Sequence, residues 1–245
     1  MSIQSGLAAR LFLDQWDLSG DVSAIGRIAS TTNLQDRTVL LNAAMARLPL
    51  LRDGAIDFTG FFNGATGGAQ AVLRALPGTA TQATVITAST VGADTFSLTG
   101  LQAAFNDTRG QDGSLVLDTS LEASGSALEV GELLTTGSQA FASAAAGSTL
   151  TYSGASTAFG WTAYLHALSI ASGTATVSVQ DSADNVTFTD LAGGAFAGVS
   201  AAGAQRIAGG ATDTVRKYAR VNVAGTFTGL VAVVTFVRYT AAPHP

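Results

Sequence analysis

The chain has 245 residues and a formal net charge of −5, and only 12% of its residues are charged. It contains no cysteine, which excludes disulfides and thiolate metal sites. Lys217 is the only lysine beside eleven arginines, so the basic stripe that grips nucleic-acid phosphates is absent. No apolar run has the length of a signal peptide core or a transmembrane helix, and we expect neither.

The N-terminal region predicts an arm, a short strand and a helix. Residues 1–10 are predicted to form a free arm, and Leu11 to Asp14 the first strand. The polar run Gly26 to Val39 lacks clear periodicity and predicts a long loop, or a ribbon that needs a partner. Apolar residues at helical spacing then predict a helix with a cap at Asp36 or Thr38, a stop at Pro49 and an apolar face of Val39, Leu40, Ala43 and Ala46.

The segment Leu51 to Asn63 predicts a turn followed by a strand. Asp53-Gly54 favours a chain reversal. The alternation that follows predicts a buried face of Ile56 and Phe58 and a solvent face of Ala55, Asp57 and Thr59. Phe61 and Phe62 break this alternation and predict burial on both faces, against a helix of the same domain or another subunit. Such a helix is predicted over Gly67 to Leu76, with an apolar stripe of Ala71, Val72 and Ala75.

From Thr81 onward the sequence predicts strands separated by Gly, Asp and Asn. In the first half these strands are Thr84 to Ser89, Asp94 to Asp107, Ser114 to Glu122 and Ala127 to Leu134. The segment Asp107 to Gly113 predicts a hairpin loop. A calcium loop is the weaker interpretation, because the segment lacks the ordered carboxylates and the bidentate glutamate that such a loop requires.

Small, repetitive residues between Thr135 and Ser148 predict a domain boundary. We divide the chain into an assembly domain over 1–137, a linker over 138–147 and a second domain over 148–245. The second domain is predicted to be a β-sandwich of Ig-like or jelly-roll type. Its final strand, Phe227 to Tyr239, is apolar on both sides and should lie centrally or at a subunit contact.

Few residues suggest chemistry. His166 is the only histidine that a strand could position as a base, and no nucleophile motif accompanies it, so we expect a partly exposed structural histidine. Asp181 and Asp184 are expected in turns. Four aromatic residues offer a sugar-stacking platform, for which core and interface uses are the preferred alternative: Trp161, Tyr164, Tyr218 and Tyr239. We predict no catalytic, cofactor or metal site, and a protein that is not an enzyme.

Three segments carry a resemblance to a known family. They are LFLDQWDLSGDVSAIGRI (Leu11 to Ile28), LPLLRDGAIDFTGFFN (Leu48 to Asn63) and NDTRGQDGSLVLDTSLEASGSALEVGELLTTG (Asn106 to Gly137), with AVLRALP (Ala71 to Pro77) between the last two. Their order resembles the major tail, or tail-tube, proteins of long-tailed siphovirus-type phages of actinobacteria. The second domain resembles accessory β-sandwich domains of phage virion proteins.

The resemblance implies a mainly β protein with a tail-tube-like barrel or sandwich and one or two short helices. It implies copies that close sideways into hexameric rings and stack into a hollow tube, with other tail proteins as partners and DNA only in passage. It also implies synthesis in the host cytoplasm, a final place in the phage tail, and a C-terminal domain on the tail exterior.

The candidate self-assembly residues are Leu11 and Phe12 in the first strand and Phe61 and Phe62 after the central one. A low-charge surface and the lack of a catalytic constellation are what self-assembly requires. Two alternatives stay open: a capsid decoration protein, expected to be trimeric, and a virion binding module that recognises a host-surface glycan.

Overall fold

The computed structural model describes residues 8–41 and 43–241. It is mainly β, with 58% strand and 3% helix, which confirms the predicted fold class. Among the described residues, no helix has the length and apolar character needed to cross a membrane.

The described residues of the first half form eight strands and one helix. The strands are β1 (Arg10–Leu13), β2 (Trp16–Asp17), β3 (Val22–Asp36), β4 (Arg47–Phe61), β5 (Thr81–Ile86), β6 (Asp94–Arg109), β7 (Leu115–Ala123) and β8 (Glu129–Leu133). The helix, α1 (Ala69–Arg74), lies between β4 and β5. Strands β6, β7 and β8 match the predicted strands closely, whereas β5 begins three residues before the predicted Thr84 and ends at Ile86. The turn over residues 110–114 confirms the predicted hairpin loop between β6 and β7.

Up to residue 241, where the described part ends, the regular elements of the second half are all strands. They are β9 (Gln139–Phe141), β10 (Ala145–Ala146), β11 (Leu150–Thr151), β12 (Trp161–Ser169), β13 (Ser172–Ser182), β14 (Thr189–Ala195), β15 (Gly203–Ala208), β16 (Tyr218–Thr228) and β17 (Leu230–Arg238). Within the described residues they form a β-sandwich, because β10, β11, β13, β14 and β16 make one sheet and β9, β12, β15 and β17 lie in the other. Its core includes Trp161, Val177, Val221, Val234 and Phe236.

Strand β17 lies between β12 and β8 and thereby joins the two halves of the chain. In the described residues, the resulting twelve-stranded sheet contains the order β15-β12-β17-β8-β6-β5-β1-β2, and β3, β4 and β7 extend it from β6. The prediction that the final strand is central is therefore confirmed, since Val233, Val234 and Phe236 are 0% exposed.

Helix α1 covers one face of the N-terminal strands. It buries Ala69, Val72 and Leu73 in the same cluster as Ile56 and Phe58. The predicted covering role is thus correct, whereas the predicted stripe is wrong: Ala75 is exposed, because the face turned to the sheet begins at Ala69.

The structure corrects the helix predicted after Asp36. Strands β3 and β4 form a long antiparallel hairpin, and the described residues of its turn are 37–41 and 43–46. Asp36 and Thr38 close this turn instead of capping a helix: the Asp36 carboxylate accepts hydrogen bonds from the Thr38 backbone N–H at 2.8 Å and from its hydroxyl at 2.6 Å. Of the two structures predicted for the polar run before this turn, a long loop or a ribbon, the structure shows the ribbon. Its partner strand is β4 of the same chain.

The structure also corrects the turn predicted at Asp53-Gly54. Both residues lie inside β4, where Gly54 pairs with Ser30. A Cβ on Gly54 would lie 2.5 Å from the backbone N of Leu128. Glycine is therefore needed for a close approach between two segments and not for a chain reversal.

The predicted linker over 138–147 is not a free segment. It contains β9 and β10, which pair with β17 and β16, and Phe141 within it is 3% exposed. The division of the chain into two domains stays a prediction. The two halves share a buried cluster of Phe12, Ile86, Leu133 and Val233, so any second domain rests on a packed junction.

Candidate assembly surface

The outer half of the β3–β4 hairpin stands away from the rest of the protein. Strand β4 pairs with β7 only from Ala55 to Phe61. In the described residues, its first eight positions, 47–54, pair with β3 alone. At ~3.3 Å per residue this two-stranded ribbon is about 25 Å long. A two-stranded ribbon is marginally stable by itself, so this one gains stability when further surface packs against it.

The turn of the hairpin exposes large apolar side chains. The exposed fractions are 105% for Leu40, 98% for Leu41 and 63% for Met45. We call these three residues the tip patch. Two hydrogen bonds hold the turn closed. The Arg37 backbone N–H donates to the Ala46 carbonyl at 2.8 Å, and the Ala46 backbone N–H donates to the Thr38 hydroxyl at 3.0 Å. The apolar side chains therefore project from an ordered turn, and contiguous exposed apolar surface of this kind is typical of interaction sites.

Two strand edges of the order β3-β4-β7-β6 are open in the described residues. In the order β3-β4-β7-β6, the described residues contain no strand that pairs with the outer edge of β3. Strand β6 pairs with β5 and β8 only up to Gly100, so its second half, 101–109, has β7 on one side and no described strand on the other. Unpaired backbone N–H and C=O groups along an edge can pair with a strand of another chain.

The sheet that carries these edges has one apolar and one polar face. Ile56, Phe58 and Leu121 lie on the apolar face, in the core under α1. The polar face carries Arg27, whose guanidinium donates to Asp57 at 2.6 Å and to Glu122 at 3.1 Å.

A third acid, Asp118, lies on the same polar face. Ser120 donates to Asp57 at 2.7 Å, and exposed Asp118 pairs across the strands with Thr59. Burial by itself raises the pKa of Asp57, but the hydrogen bonds from Arg27 and Ser120 hold it below its usual value. With three acids and one arginine, the face is polar and net negative.

Phe61 and Phe62 lie at the end of β4 that is opposite the hairpin turn. They are 58% and 44% exposed, so α1 does not cover them, and the predicted burial on both faces is wrong within one chain. The other option for this pair, contact with another subunit, stays a prediction. The backbone N–H of Phe62 donates to the Leu115 carbonyl at 3.1 Å, and Leu115 is itself 39% exposed. We call Phe61, Phe62 and Leu115 the Phe patch.

Leu11 and Phe12, the other two predicted self-assembly residues, lie in the interior. They are 1% and 0% exposed, because β1 is paired with β5 along its length and packs into two core clusters. Their side chains stabilise the protomer, and we remove them from the assembly surface. Most of the predicted arm, residues 1–7, lies outside the described residues.

His166 is fully buried, which corrects the expected partial exposure. Its Nδ1 lies 2.7 Å from the Asp14 carbonyl, which can only accept, so Nδ1 carries the proton and Nε2 accepts from the Thr84 hydroxyl at 2.8 Å. Burial lowers the pKa of the His166 imidazole. Thr84 continues the chain to Ser97 at 2.9 Å. His166 thus ties β12 to the first half of the protein from a position that no substrate reaches.

A second buried polar centre was missed by the sequence analysis. The Glu129 carboxylate is 7% exposed and accepts hydrogen bonds from Tyr164 at 2.6 Å, Arg206 at 2.8 Å and Tyr239 at 2.8 Å. Two causes raise the pKa of Tyr239 to about 12: burial is the larger one, and the charge of Glu129 is the second. These three partners come from β12, β15 and the end of β17, and no local pattern in the sequence connects such distant residues.

Other predicted sites are also structural. Asp181 is buried and accepts a hydrogen bond from Arg216 Nε at 2.9 Å at the end of β13. Asp184 lies in a turn, as predicted, where backbone N–H groups lower its pKa to about 2. Trp161 and Tyr164 are 0% exposed and belong to the interior, so they form no sugar platform. Across the described ranges, no group of three or more His, Cys, Asp or Glu side chains is placed to hold a metal ion.

Comparison with known proteins gave structural likenesses only. No family model matches the sequence, and no curated protein matches it. A chain in the virion of a native gene transfer agent particle is 17% identical, with a TM-score of 0.43 over 51% of this chain and 98% of that one. A chain in the C6-symmetric tail of an empty particle of this agent is 18% identical, with a TM-score of 0.39 over 51% and 96%. The Dit hub protein of phage SPP1 is 10% identical, with a TM-score of 0.34 over 94% and 100%. All three TM-scores are below 0.5, and these likenesses carry no argument about function.

Proposed function

We propose that this chain is a virion structural protein that closes sideways with its own copies into hexameric rings, which stack into the tail tube of a long-tailed phage. One observation carries the proposal: in the described residues, the order β3-β4-β7-β6 has an open edge on each side, and an apolar hairpin protrudes from it. The resemblance of the N-terminal half to the major tail proteins of actinobacterial phages supports the same function.

The two open edges fit one another. The edge of β3 and the edge of residues 101–109 lie on opposite sides of the order β3-β4-β7-β6. Pairing the β3 edge of one copy with the β6 edge of the next satisfies the backbone groups of both strands. The same contact then repeats from copy to copy, and a heterologous contact of this kind gives a ring when its rotation closes. The ring is a continuous barrel of strands.

The faces of this sheet decide what lines the barrel. The apolar face is occupied by the chain's own core, so the polar face of Arg27, Asp57, Asp118 and Glu122 borders the central space. Its excess of carboxylates repels phosphates, and a duplex therefore passes without being gripped. Such a lumen suits DNA passage and does not suit DNA binding.

The proposal also assigns positions to the C-terminal sandwich, the arm and the other tail proteins. The C-terminal sandwich extends the sheet beyond β8, away from the open edges of β3 and β6, and lies on the tail exterior as an accessory domain. We keep the predicted arm as a contact to a neighbouring copy, with its end moved to the residue before β1, because Arg10 lies in that strand; residues 1–7 lie outside the described residues. Other tail proteins meet the tube at its ends.

Negative-stain electron microscopy of the concentrated protein tests the proposal. We expect six-fold rings or tubes from the native chain. Ser30→Lys places a charge on the open edge of β3 and should leave only protomers, because lysines on an edge strand oppose pairing. Thr174→Lys is the matched control, since Thr174 is an exposed strand residue of the C-terminal half, and it should assemble like the native chain.

Two results contradict the proposal. Compact trimers from the native chain would indicate a capsid decoration protein. Monomers that bind a host-surface glycan would indicate a binding module.

A further inference from the structure

A cavity of about 750 Å³ lies where the two halves of the chain meet, and we call it the junction cavity. Its walls come from the start of β6 and the turn before it, from β8, and from the segment 149–153 with the end of β17. Its volume is within the range of small-molecule sites in proteins. None of its described lining residues belongs to β3, β4 or the open edge 101–109. The junction cavity is therefore separate from the candidate assembly surface.

Two carboxylates lie side by side in this cavity. Asp94 and Glu132 are directly opposite one another in the β6–β8 pair, and neither carboxylate forms an ion pair with a described residue. Burial raises the pKa of Glu132, and the charge of Asp94 raises it further. Like charges placed directly opposite each other destabilise a strand pair. A group that donates hydrogen bonds to both carboxylates would therefore stabilise this part of the sheet.

Arg238 supplies the positive charge of the junction cavity. Its guanidinium lies over the Tyr152 ring, with Cζ 3.7 Å from the ring centroid, and its Nη1 donates to the Ala155 carbonyl at 3.0 Å. These two contacts fix the plane of the guanidinium. Arg238 Nε and the hydroxyl of Tyr152, a residue that is 6% exposed, are buried and have no hydrogen-bond partner among the described residues. Such buried polar atoms are rare, and they indicate that a further group completes their hydrogen bonds.

The mixed charges of the cavity favour a neutral ligand. An anion would be repelled by Asp94 and Glu132, and a cation would be repelled by Arg238. A sugar hydroxyl suits both kinds of group, because a hydroxyl donates to a carboxylate and accepts from a guanidinium. The wall also contains the apolar side chains of Leu150 and of Val130, which is 54% exposed. The carbon-bound hydrogens of a sugar ring can cover these apolar side chains.

We propose that the junction cavity binds a neutral saccharide of one or two rings. Neighbouring hydroxyls of the sugar donate to the carboxylates of Asp94 and Glu132, and a further sugar oxygen accepts from the Arg238 guanidinium. The hydroxyl groups of Thr149 and Thr151, which also line the cavity, offer additional partners. This inference goes beyond the proposed function and does not depend on it, because the cavity is separate from the open edges and the hairpin.

Saturation-transfer NMR of the full chain with free glucose, galactose, mannose and N-acetylglucosamine tests the site. We expect transfer to at least one of these sugars. Asp94→Asn and Glu132→Gln keep the side-chain shape but remove a charged acceptor, so each should weaken binding of that sugar about tenfold. Asp94 is exposed, so its substitution spares the fold. Asp118→Asn is the matched control, because Asp118 is an exposed carboxylate of β7 outside the cavity, and it should bind like the native chain.

Two results would overturn the saccharide site. One is the lack of transfer to all of these sugars, and the other is equal binding by the native chain, Asp94→Asn and Glu132→Gln, which would mean that the sugar binds elsewhere. Electron microscopy of the same native sample reports on the proposed function separately. Rings without sugar binding would overturn the site alone, and sugar binding without rings would overturn the proposed function alone.

Discussion

Strand β17 and the turn end of the β3–β4 hairpin both carry large apolar side chains, but they bury these side chains differently. Strand β17 has a partner on each side, β12 and β8, and its side chains at positions 232–236 are 0% exposed. In the described part of the chain, the outer ribbon pairs with no strand beyond its own two, and Leu40, Leu41 and Leu51 are 73% exposed or more. Apolar content indicates that a segment will be buried, and the free edges determine whether its own chain or a neighbour buries it.

The largest expected effect comes from emptying the β17 core. Phe236 is fully buried and packs against Trp161 with ring centroids 5.9 Å apart. We expect Phe236→Ala to lower the free energy of unfolding by ~3–5 kcal/mol, because a cavity is left in a packed sheet. Chemical denaturation of the soluble protomer measures this change.

Phe62→Ala is the matched substitution in the exposed region. Phe62 is 44% exposed, so the free energy of unfolding should change by about 0.5 kcal/mol or less, while assembly is lost. Equal losses of stability for the two variants would show that the Phe patch belongs to the protomer core and would remove the distinction between the two regions.

The sequence predicts the core better than the exposed ribbon, for a physical reason. The predicted burial of Ile56 and Phe58 and the predicted central position of β17 are both confirmed, whereas Ala55, predicted on the solvent face, is only 3% exposed. The apolar residues around Leu40 lie on the protein surface. Their spacing predicts a helix, but the structure has a turn there.

Other features depend on contacts between distant residues. In the sequence, Asp53-Gly54 predicts a turn. The reason for a glycine at position 54 is its close approach to Leu128, which only the structure shows. The Glu129 centre likewise needs three strands to bring its partners together. In the candidate assembly surface, a break in the local alternation identifies Phe61 and Phe62 from the sequence. The open edges become visible only from the order of the strands in the sheet.

Gly54→Ala tests the point where the ribbon leaves the core. The added methyl group would lie 2.5 Å from both the backbone N and the Cβ of Leu128, so the backbone has to shift. We expect a loss of ~1–3 kcal/mol in the free energy of unfolding. Gly26→Ala is the control, because a Cβ there meets only the Asp57 carbonyl at 3.7 Å. A loss of the same size in both variants would contradict the close approach.

His166 gives a smaller and pH-dependent effect at the junction of the two halves. Its folded pKa lies below the unfolded value of about 6.5 because of burial. Below pH ~6.5 the unfolded chain therefore binds a proton that the folded chain does not, and stability falls as the pH drops toward the folded pKa, by at most ~1.4 kcal/mol per pH unit. Above pH ~6.5 this contribution is fully present.

Denaturation of the native chain and of His166→Gln at pH 7.5 and 5.5 measures this contribution. The variant should be less stable at pH 7.5 but lose less stability on acidification. Subtracting the two profiles cancels groups common to both, including Asp14, whose carboxylate accepts from Thr81 at 2.7 Å, and nearby Arg10. Parallel profiles would mean that His166 does not titrate in this range.

Sedimentation velocity on a variant without the hairpin turn tests the central claim most directly. Residues 37–46 are replaced by Asn-Gly, a two-residue turn that suits a β-hairpin, and circular dichroism verifies the fold. We predict that the native chain sediments as stacked assemblies and that the variant sediments as protomers or single rings. Stacked assemblies of unchanged size from the folded variant would contradict the account.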